Sequence, residues 1–167
     1  DYLDWQDFIG SATNLPQLSA VVHFGANTDT REQDGRRVID ANYNVSKTML
    51  SVAARYNCAL VYASSASVYG STPPATLLTE SFENEHPQSP YAVSKWLFDQ
   101  YARQYLQSQP AHPVCGLRLF NVYGPREAHK GAMASVAHQT FTAARAGQPM
   151  RLFPGSAEIF RDFVYVS

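Results

Sequence analysis

Three strand-like runs, each followed at once by small or polar residues, constrain this chain more than any other feature. Unbroken, β-branched apolar runs are typical of parallel strands covered on both faces. We place the three strands at 19–24, 59–63 and 114–120. Helical spacing of apolar residues predicts helices over 35–56, 89–107 and 131–146. Two further strand candidates lie at 150–153 and 160–166. The alternation predicts an α/β fold with a doubly wound, Rossmann-like parallel sheet.

Composition excludes several classes of function. The chain has 167 residues and a net charge of −1, so no basic surface predicts a nucleic-acid partner or an anionic membrane. No apolar run is long enough to span a bilayer, and the five histidines lack the spacing of metal ligands. Cys58 and Cys115 each begin a strand-like run, where we expect small buried thiols in a reducing compartment.

The residues that follow the three strands are expected to meet at one edge of the sheet. Ligands of such sheets bind beyond the carboxyl ends of the strands. One polar cluster after a strand is ordinary turn chemistry, whereas three in succession favour a site. These clusters occupy 25–28, 64–67 and 121–124.

Tyr91 and Lys95 are the strongest candidates for chemistry. They are four residues apart at the start of a predicted helix, so they share one face. A nearby ammonium favours the phenolate, so we expect the pKa of Tyr91 to be lowered, which would let it exchange a proton with a substrate hydroxyl. Ser65, at the end of the second strand, could donate a hydrogen bond to the same oxygen. A Tyr–Lys pair alone is usually structural; the serine-rich strand end favours catalysis.

Three longer motifs carry a resemblance to a known family. They are Tyr-Ala-Ser-Ser-Ala-Ser-Val-Tyr-Gly at 62–70, Ser-Pro-Tyr-Ala-Val-Ser-Lys at 89–95 and Arg-Leu-Phe-Asn-Val-Tyr-Gly-Pro at 118–125. Together they resemble the extended short-chain dehydrogenase/reductases. More narrowly, the stretches Arg-Glu-x-His-Lys-Gly-x-Met-Ala-Ser at 126–135 and Arg-Asp-Phe-Val-Tyr-Val at 161–166 look like those of ADP-L-glycero-D-manno-heptose 6-epimerases.

This resemblance implies a domain organisation and a set of ligands. Residues 1–148 would form the C-terminal part of a dinucleotide-binding domain, and 149–167 would begin a substrate-binding region. The family's N-terminal Gly-rich phosphate loop is absent from the sequence, which opens on Asp1, so we expect a piece of a longer protein. The implied ligands are NADP, with NAD as the alternative, and a nucleotide sugar. We expect the full-length protein to be a cytoplasmic homo-oligomer, and the isolated piece to bind NADP poorly.

The resemblance also implies which residues contact the dinucleotide. Lys95 would hold the nicotinamide ribose, and the segment after the first strand would pass along the cofactor. Asn42 interrupts an apolar helical stripe, so it is either a cofactor-side group or a core asparagine bonded to backbone, and the two interpretations are about equal. The implied contacts are Phe24, Gly25, Ala26, Asn27, Thr28, Asn42, Tyr91, Lys95, Val122 and Lys130.

Lys130 distinguishes an epimerase from a simple dehydrogenase. A secondary alcohol carbon without acidity can be inverted by oxidation to a ketone and return of the hydride to the other face. Two acid/base groups would serve the two orientations of the hydroxyl. In the family that this chain resembles, Tyr91 would be one and Lys130 the other. By spacing alone Lys130 is an ordinary solvated loop lysine.

The substrate residues implied by the resemblance lie mostly near the C-terminus. Arg161 would clamp the substrate diphosphate, since a planar guanidinium suits bidentate phosphate contacts. The implied substrate contacts are Ser65, Asn121, Phe153, Gly155, Ser156 and Arg161. Ala132 stands where these epimerases typically have Ser, and Gln139 where they often have His. Both departures leave the exact sugar open.

Three alternatives remain at this stage. A UDP-sugar 4-epimerase does not require the Lys130 motif. A sugar-nucleotide dehydratase should carry an acidic residue beside the serine cluster, and 66–68 contain none. A non-catalytic dinucleotide sensor of the same fold usually lacks the Tyr or the Lys, and both are present.

Overall fold

Three parallel strands form the centre of the fold. The computed structural model describes residues 7, 8, 10, 15–71, 79–149, 155 and 162–166. Strands β1 (Ala20–His23), β2 (Ala59–Ser65) and β3 (Val114–Leu119) lie side by side in that order, and both pairs are parallel. The predicted α/β fold with a parallel, Rossmann-like sheet is confirmed.

A second, two-stranded sheet begins just after β3. Strand β3 ends before Phe120. The next strand, β4 (Asn121–Tyr123), pairs in parallel with β5 (Phe163–Tyr165). Strand β5 lies inside the run predicted at 160–166, whereas the candidate at 150–153 falls outside the described residues. The polar cluster predicted after the third strand therefore forms part of another strand.

The helical segment between β1 and β2 is not a uniform α-helix. It comprises α1 (Gly35–Ile39), a π-helical turn (Asp40–Asn44) and α2 (Val45–Arg55). Asp34 starts it by accepting hydrogen bonds from the amides of Arg36 and Arg37. The predicted boundaries, 35–56, hold to within one residue. The wide π turn shifts the helix face by one residue and places Asn42 at its middle, where only 1% of its surface is exposed.

Two further helices follow the second and third strands. Helix α3 (Pro90–Leu106) starts as predicted, because Ser89 caps the amide of Ala92 and Pro90 occupies the first turn. Helix α4 (Val136–Arg145) starts later than the predicted residue 131. The chain there forms a 3₁₀ segment, Ala128–Met133, in which Gly131 has a φ of 52°. A left-handed residue cannot continue an α-helix, so α4 begins only after Ser135.

Among the described residues, the helices pack against one face of the three-stranded sheet. Leu60 and Tyr62 of β2 pack against Phe98 of α3 and against α2, and burial of each such apolar side chain contributes roughly 1.5–3 kcal/mol. Val22, on the opposite face, is 67% exposed. Cys58 is buried but Cys115 is exposed, so the expectation of two buried thiols is wrong for Cys115. Alternation along β3 places Cys115 on the same face as Val22, which is exposed among the described residues.

Candidate active site

Tyr91 and Lys95 lie in the first two turns of α3, against the carboxyl end of β2. The Lys95 ammonium donates a hydrogen bond of 2.9 Å to the Ala63 carbonyl oxygen. It lies 5.9 Å from the centroid of the Tyr91 ring. Lys95 is only 6% exposed, which is unusual for a lysine. The fold therefore holds the Lys95 side chain between its helix and the sheet.

Ser65 joins this pair from the end of β2. Its side chain lies close enough to Tyr91 to lower the pKa of that phenol. It also accepts hydrogen bonds from the amide of Ser67, at 3.2 Å, and from the Ser67 hydroxyl, at 2.9 Å. These contacts fix the hydroxyl where the strand turns into a 3₁₀ segment, Ala66–Tyr69. Ser65, Tyr91 and Lys95, singled out from the sequence, thus meet at one place.

The electrostatics of this group differ from the sequence-based expectation. Burial raises the pKa of Tyr91, and the hydrogen bond with Ser65 offsets that effect only in part. Burial also lowers the pKa of Lys95 to about 8, although the charge of Asp99 acts in the opposite direction. The expected lowering of the Tyr91 pKa by Lys95 is therefore wrong for the chain by itself. The Lys95 ammonium donates its hydrogen bond to the Ala63 carbonyl oxygen, and removal of solvent from the Tyr91 phenol has the largest effect on the pKa of that phenol.

Asn42 connects the loop after β1 to α3. Its Oδ1 accepts a hydrogen bond of 2.7 Å from the Asn27 amide, and its Nδ2 donates to the Asn27 carbonyl and to Ser94 Oγ, both at 3.0 Å. Ser94 Oγ in turn donates to the Tyr91 carbonyl at 2.7 Å. This geometry is that of a core asparagine bonded to backbone, one of the two interpretations considered. It places the loop next to Tyr91.

The loop itself leaves room for a ligand. Phe24, Gly25 and Thr28 are exposed, and Ala26 is half-buried. A Cβ atom added at Gly25 would meet nothing within 4 Å. Small side chains and open space beyond β1, beside the Tyr91 and Lys95 pair, fit a dinucleotide that crosses the strand ends. These predicted cofactor residues thus lie beyond the end of β1, next to Tyr91.

His23 belongs to the same network, although no motif in the sequence predicts this. Its Nε2 lies 3.0 Å from Ser46 Oγ, and Ser46 donates to the Asn42 carbonyl at 2.5 Å. Because the serine has only one proton to donate, His23 must be the donor in its own contact with Ser46. Burial, helped by the charge of Lys95, lowers the pKa of His23 to about 4, so the ring is neutral. The feature of the sequence that could have identified His23 is its position as a polar residue at the end of an apolar strand.

A buried ionic cluster supports the other side of α3. We call Glu85, Asp99, Arg103 and Arg118 the charged cluster. Glu85 accepts from both arginines and from the side chains of Trp96 and Gln100. Asp99 accepts from Tyr62 at 3.0 Å, from Ser64 at 2.8 Å and from Arg118 at 3.3 Å. Glu85 lies before α3, Asp99 and Arg103 lie on α3, and Arg118 lies on β3, so no local spacing pattern connects all of them.

Ionisation within the charged cluster follows from its hydrogen bonds. Although burial opposes it, hydrogen bonds from Arg103 and Arg118 lower the pKa of Glu85 to about 2. Burial raises the pKa of Asp99 against the effect of its hydrogen bonds with Ser64 and Tyr62. The cluster fixes Ser64, the neighbour of Ser65, and so helps to hold the end of β2.

Lys130 lies apart from this buried group. It is exposed on the 3₁₀ segment Ala128–Met133, and its amide donates to the Glu127 carbonyl at 2.9 Å. Among the described contacts, none joins its side chain to Tyr91. Val122 is half-buried on β4, where Asn121 donates its side-chain amide to the Asp162 carbonyl at 2.9 Å.

The remaining substrate positions are only partly described. Gly155 has a φ of 74°, whereas Phe153, Ser156 and Arg161 lie outside the described residues. The two departures from the epimerase pattern contact each other. Gln139 donates to the Ala132 carbonyl at 3.2 Å and to that of Ala134 at 2.7 Å.

The described part of the chain lacks two kinds of feature. Within the described ranges, no group of three or more His, Cys, Asp or Glu side chains could hold a metal ion. Over the same ranges, no helix has both the length and the apolar character needed to cross a membrane.

Comparison with known families explains the grouping of Ser65, Tyr91 and Lys95. A family model described as the NAD dependent epimerase/dehydratase family matches residues 1–167. The chain belongs to the NAD-dependent epimerase/dehydratase family. The resemblance to extended short-chain dehydrogenase/reductases, stated from three motifs, is confirmed.

Solved structures of this epimerase/dehydratase family match nearly the whole chain. The ADP-L-glycero-D-manno-heptose-6-epimerase of Helicobacter pylori is 32% identical, with a TM-score of 0.79 over 97% of this chain and 49% of that one. The UDP-N-acetylglucosamine 4-epimerase of Methanobrevibacter ruminantium, in complex with UDP-N-acetylmuramic acid, is 29% identical, with a TM-score of 0.80 over 92% and 49%. The UDP-glucose 4-epimerase of Thermus thermophilus, in complex with NAD, is 28% identical, with a TM-score of 0.76 over 96% and 53%. The chain spans about half the length of these relatives.

Proposed function

We propose that this chain carries the catalytic residues of a nucleotide-sugar epimerase that inverts the configuration at C6 of ADP-glycero-manno-heptose. The observation that carries the proposal is the meeting of Ser65, Tyr91 and Lys95 in a chain of this family. The motif around Lys130 and the likeness to the Helicobacter pylori heptose epimerase support the choice of substrate. We propose NADP as cofactor, with NAD as the alternative, in a cytoplasmic homo-oligomer of the full-length protein.

The proposed work of Tyr91 is to move a proton at the substrate hydroxyl. A bound nicotinamide dinucleotide would accept a hydride from the carbon and return it to the opposite face. Because burial keeps the phenol protonated, Tyr91 is prepared to donate a proton to the ketone oxygen. Ser65 would hydrogen bond to the same oxygen and hold it in reach. The Lys95 ammonium would contact the ribose through the N–H groups that do not donate to the Ala63 carbonyl oxygen.

Lys130 is the proposed acid/base for the other orientation of the hydroxyl. It would take the proton during oxidation of one epimer and give it during reduction to that epimer, with Tyr91 serving the second epimer. Arg161 would bind the diphosphate. Substrate contacts are proposed at Asn121, Phe153, Gly155 and Ser156, and further cofactor contacts at Phe24, Gly25, Ala26, Asn27, Thr28 and Val122. Asn42 would serve the cofactor by holding the loop at Asn27.

A substrate assay on the full-length protein tests this proposal. We expect conversion of ADP-glycero-manno-heptose between its C6 epimers and no conversion of UDP-galactose, with both reactions followed by nuclear magnetic resonance. Release of the cofactor by denaturation and its chromatography would identify NADP or NAD. Turnover of UDP-galactose but not of the heptose would favour the second candidate, a UDP-sugar 4-epimerase, which the likeness to the Methanobrevibacter ruminantium enzyme supports. Turnover of neither would contradict both.

A further inference from the structure

Glu127 is a buried carboxylate within an exposed part of the chain. It is 5% exposed, although the residues on either side of it are exposed. Its Oε1 accepts hydrogen bonds from the Gly124 amide, at 2.8 Å, and from the Ser135 hydroxyl, at 3.0 Å. Its Oε2 accepts from the Ser135 amide at 2.7 Å. Three donors thus converge on one carboxylate.

These hydrogen bonds join the two ends of the segment that carries Lys130. Gly124 directly follows β4, and Ser135 starts α4 by accepting from the His138 amide at 3.1 Å. Between them the backbone turns through Gly131, whose positive φ prevents a regular helix. The Glu127 carbonyl also accepts from the Lys130 amide, at 2.9 Å. One residue therefore closes the segment at both ends and contacts its middle.

Only a carboxylate satisfies all three donors. An amide at position 127 has one acceptor oxygen, and its NH₂ group would face a donor. An aliphatic residue would leave the two amides and the hydroxyl without their partner, which is costly for buried groups. Although burial opposes ionisation, hydrogen bonds from Ser135 and Gly124 lower the pKa of Glu127, and the Lys130 charge acts in the same direction.

We propose that Glu127 is a positioning residue for Lys130, which it holds at the distance from substrate that proton transfer requires. The inference rests on the proposed function, in which Lys130 is the second acid/base. Displacement of a reacting group by about 1 Å can cost on the order of 100-fold in rate. We therefore expect Glu127→Gln to act on the step that uses Lys130 and not on the binding of the cofactor.

A double-mutant cycle in the full-length, dinucleotide-loaded protein tests this role. We expect Glu127→Gln to slow epimerisation by on the order of 10- to 100-fold, with bound dinucleotide retained and a modest fall in melting temperature, because one buried donor loses its partner. In a Lys130→Ala background the same change should have almost no further effect, because the group that it positions is gone. Glu83→Gln, an exposed carboxylate on a 3₁₀ segment elsewhere, is the matched control and should leave activity unchanged.

A second readout separates positioning from general loosening of the fold. The two C6 epimers are offered separately in single turnovers, and the transient reduced dinucleotide is followed by its absorbance. Loss of positioning should slow the epimer that depends on Lys130 more than the other, whereas a structural defect slows both equally. If Glu127→Gln proves unstable, Ser135→Ala, which removes one of the three donors, should show the same asymmetry more weakly.

The outcomes distinguish the inference from the proposed function. Full activity of Lys130→Ala would overturn the proposed function and, with it, the role of Glu127. A large loss in Lys130→Ala combined with additive effects of Glu127→Gln would overturn the inference alone. Equal slowing of both epimers by Glu127→Gln would also overturn it.

Discussion

The Tyr91 and Lys130 regions differ in how the fold holds their side chains. Tyr91 lies at the start of a long helix, close to Ser65, and its carbonyl is connected to Asn42 through the hydroxyl of Ser94. Lys130 is exposed on a segment whose geometry depends on one neighbouring carboxylate. The first region shares its supports with the hydrophobic core, and the second does not. Function and stability should therefore be coupled around Tyr91 and separable around Lys130.

The largest expected effect is that of Tyr91→Phe in the full-length protein. Removal of a general acid/base group costs on the order of 100- to 10,000-fold, so turnover should almost stop while the dinucleotide stays bound. Kinetics and cofactor content measure the two properties. Tyr101→Phe, on the same helix, is the matched control. Full activity of Tyr91→Phe would remove the catalytic role and leave Lys130 as the sole candidate acid/base.

Glu85→Gln should sharpen the contrast between the two regions. Glu85 is fully buried and Arg118 nearly so, and loss of one partner from a buried ion pair costs roughly 3–5 kcal/mol of unfolding free energy. Lys130→Ala and Glu83→Gln should each stay within about 0.5 kcal/mol, as exposed substitutions do. Urea denaturation provides the comparison. Equal stability of all three variants would show that the charged cluster does not support the Tyr91 region.

The pH dependence of Glu85 follows from its lowered pKa. A carboxylate that binds its proton less readily in the folded state stabilises the protein at pH values above its ordinary pKa of 4.5. That contribution should disappear as pH falls from there towards about 2. Glu85→Gln should lack this component of the acid destabilisation.

For Lys95 the expected change in stability has the opposite sign. Burial lowers the pKa of Lys95 from 10.5 to about 8, so keeping the ammonium costs ~3 kcal/mol at neutral pH. Lys95→Met should therefore abolish activity yet raise the unfolding free energy, by up to that amount less the lost hydrogen bond to Ala63. Between pH 8 and 9.5 the unfolded state binds more protons at residue 95, so the native protein gains stability with pH and the variant should not. A less stable variant would contradict this interpretation.

The sequence predicted most where local chemistry decides the structure. The Ser-Pro pair at 89–90 predicted the start of α3, and the apolar runs predicted three parallel strands. Predictions failed where the local structure depends on one backbone angle or on a partner far away in the sequence. Gly131 delays α4, and the partners of Glu85 lie up to 33 residues away, where no periodicity connects them. Desolvation of Tyr91 depends on packing, so its pKa could not be inferred from the spacing to Lys95.

The π-helical turn at Asp40–Asn44 makes the number of residues in this segment matter as well as their identity. It uses one more residue than an α-helical turn would, and each residue rotates an α-helix by about 100°. Deletion of a single residue there would restore regular winding but turn every preceding side chain away from its present direction. Asp34 and the loop before it would then be rotated about the helix axis relative to the sheet. The extra residue of the π turn therefore preserves the direction in which the side chains before it point.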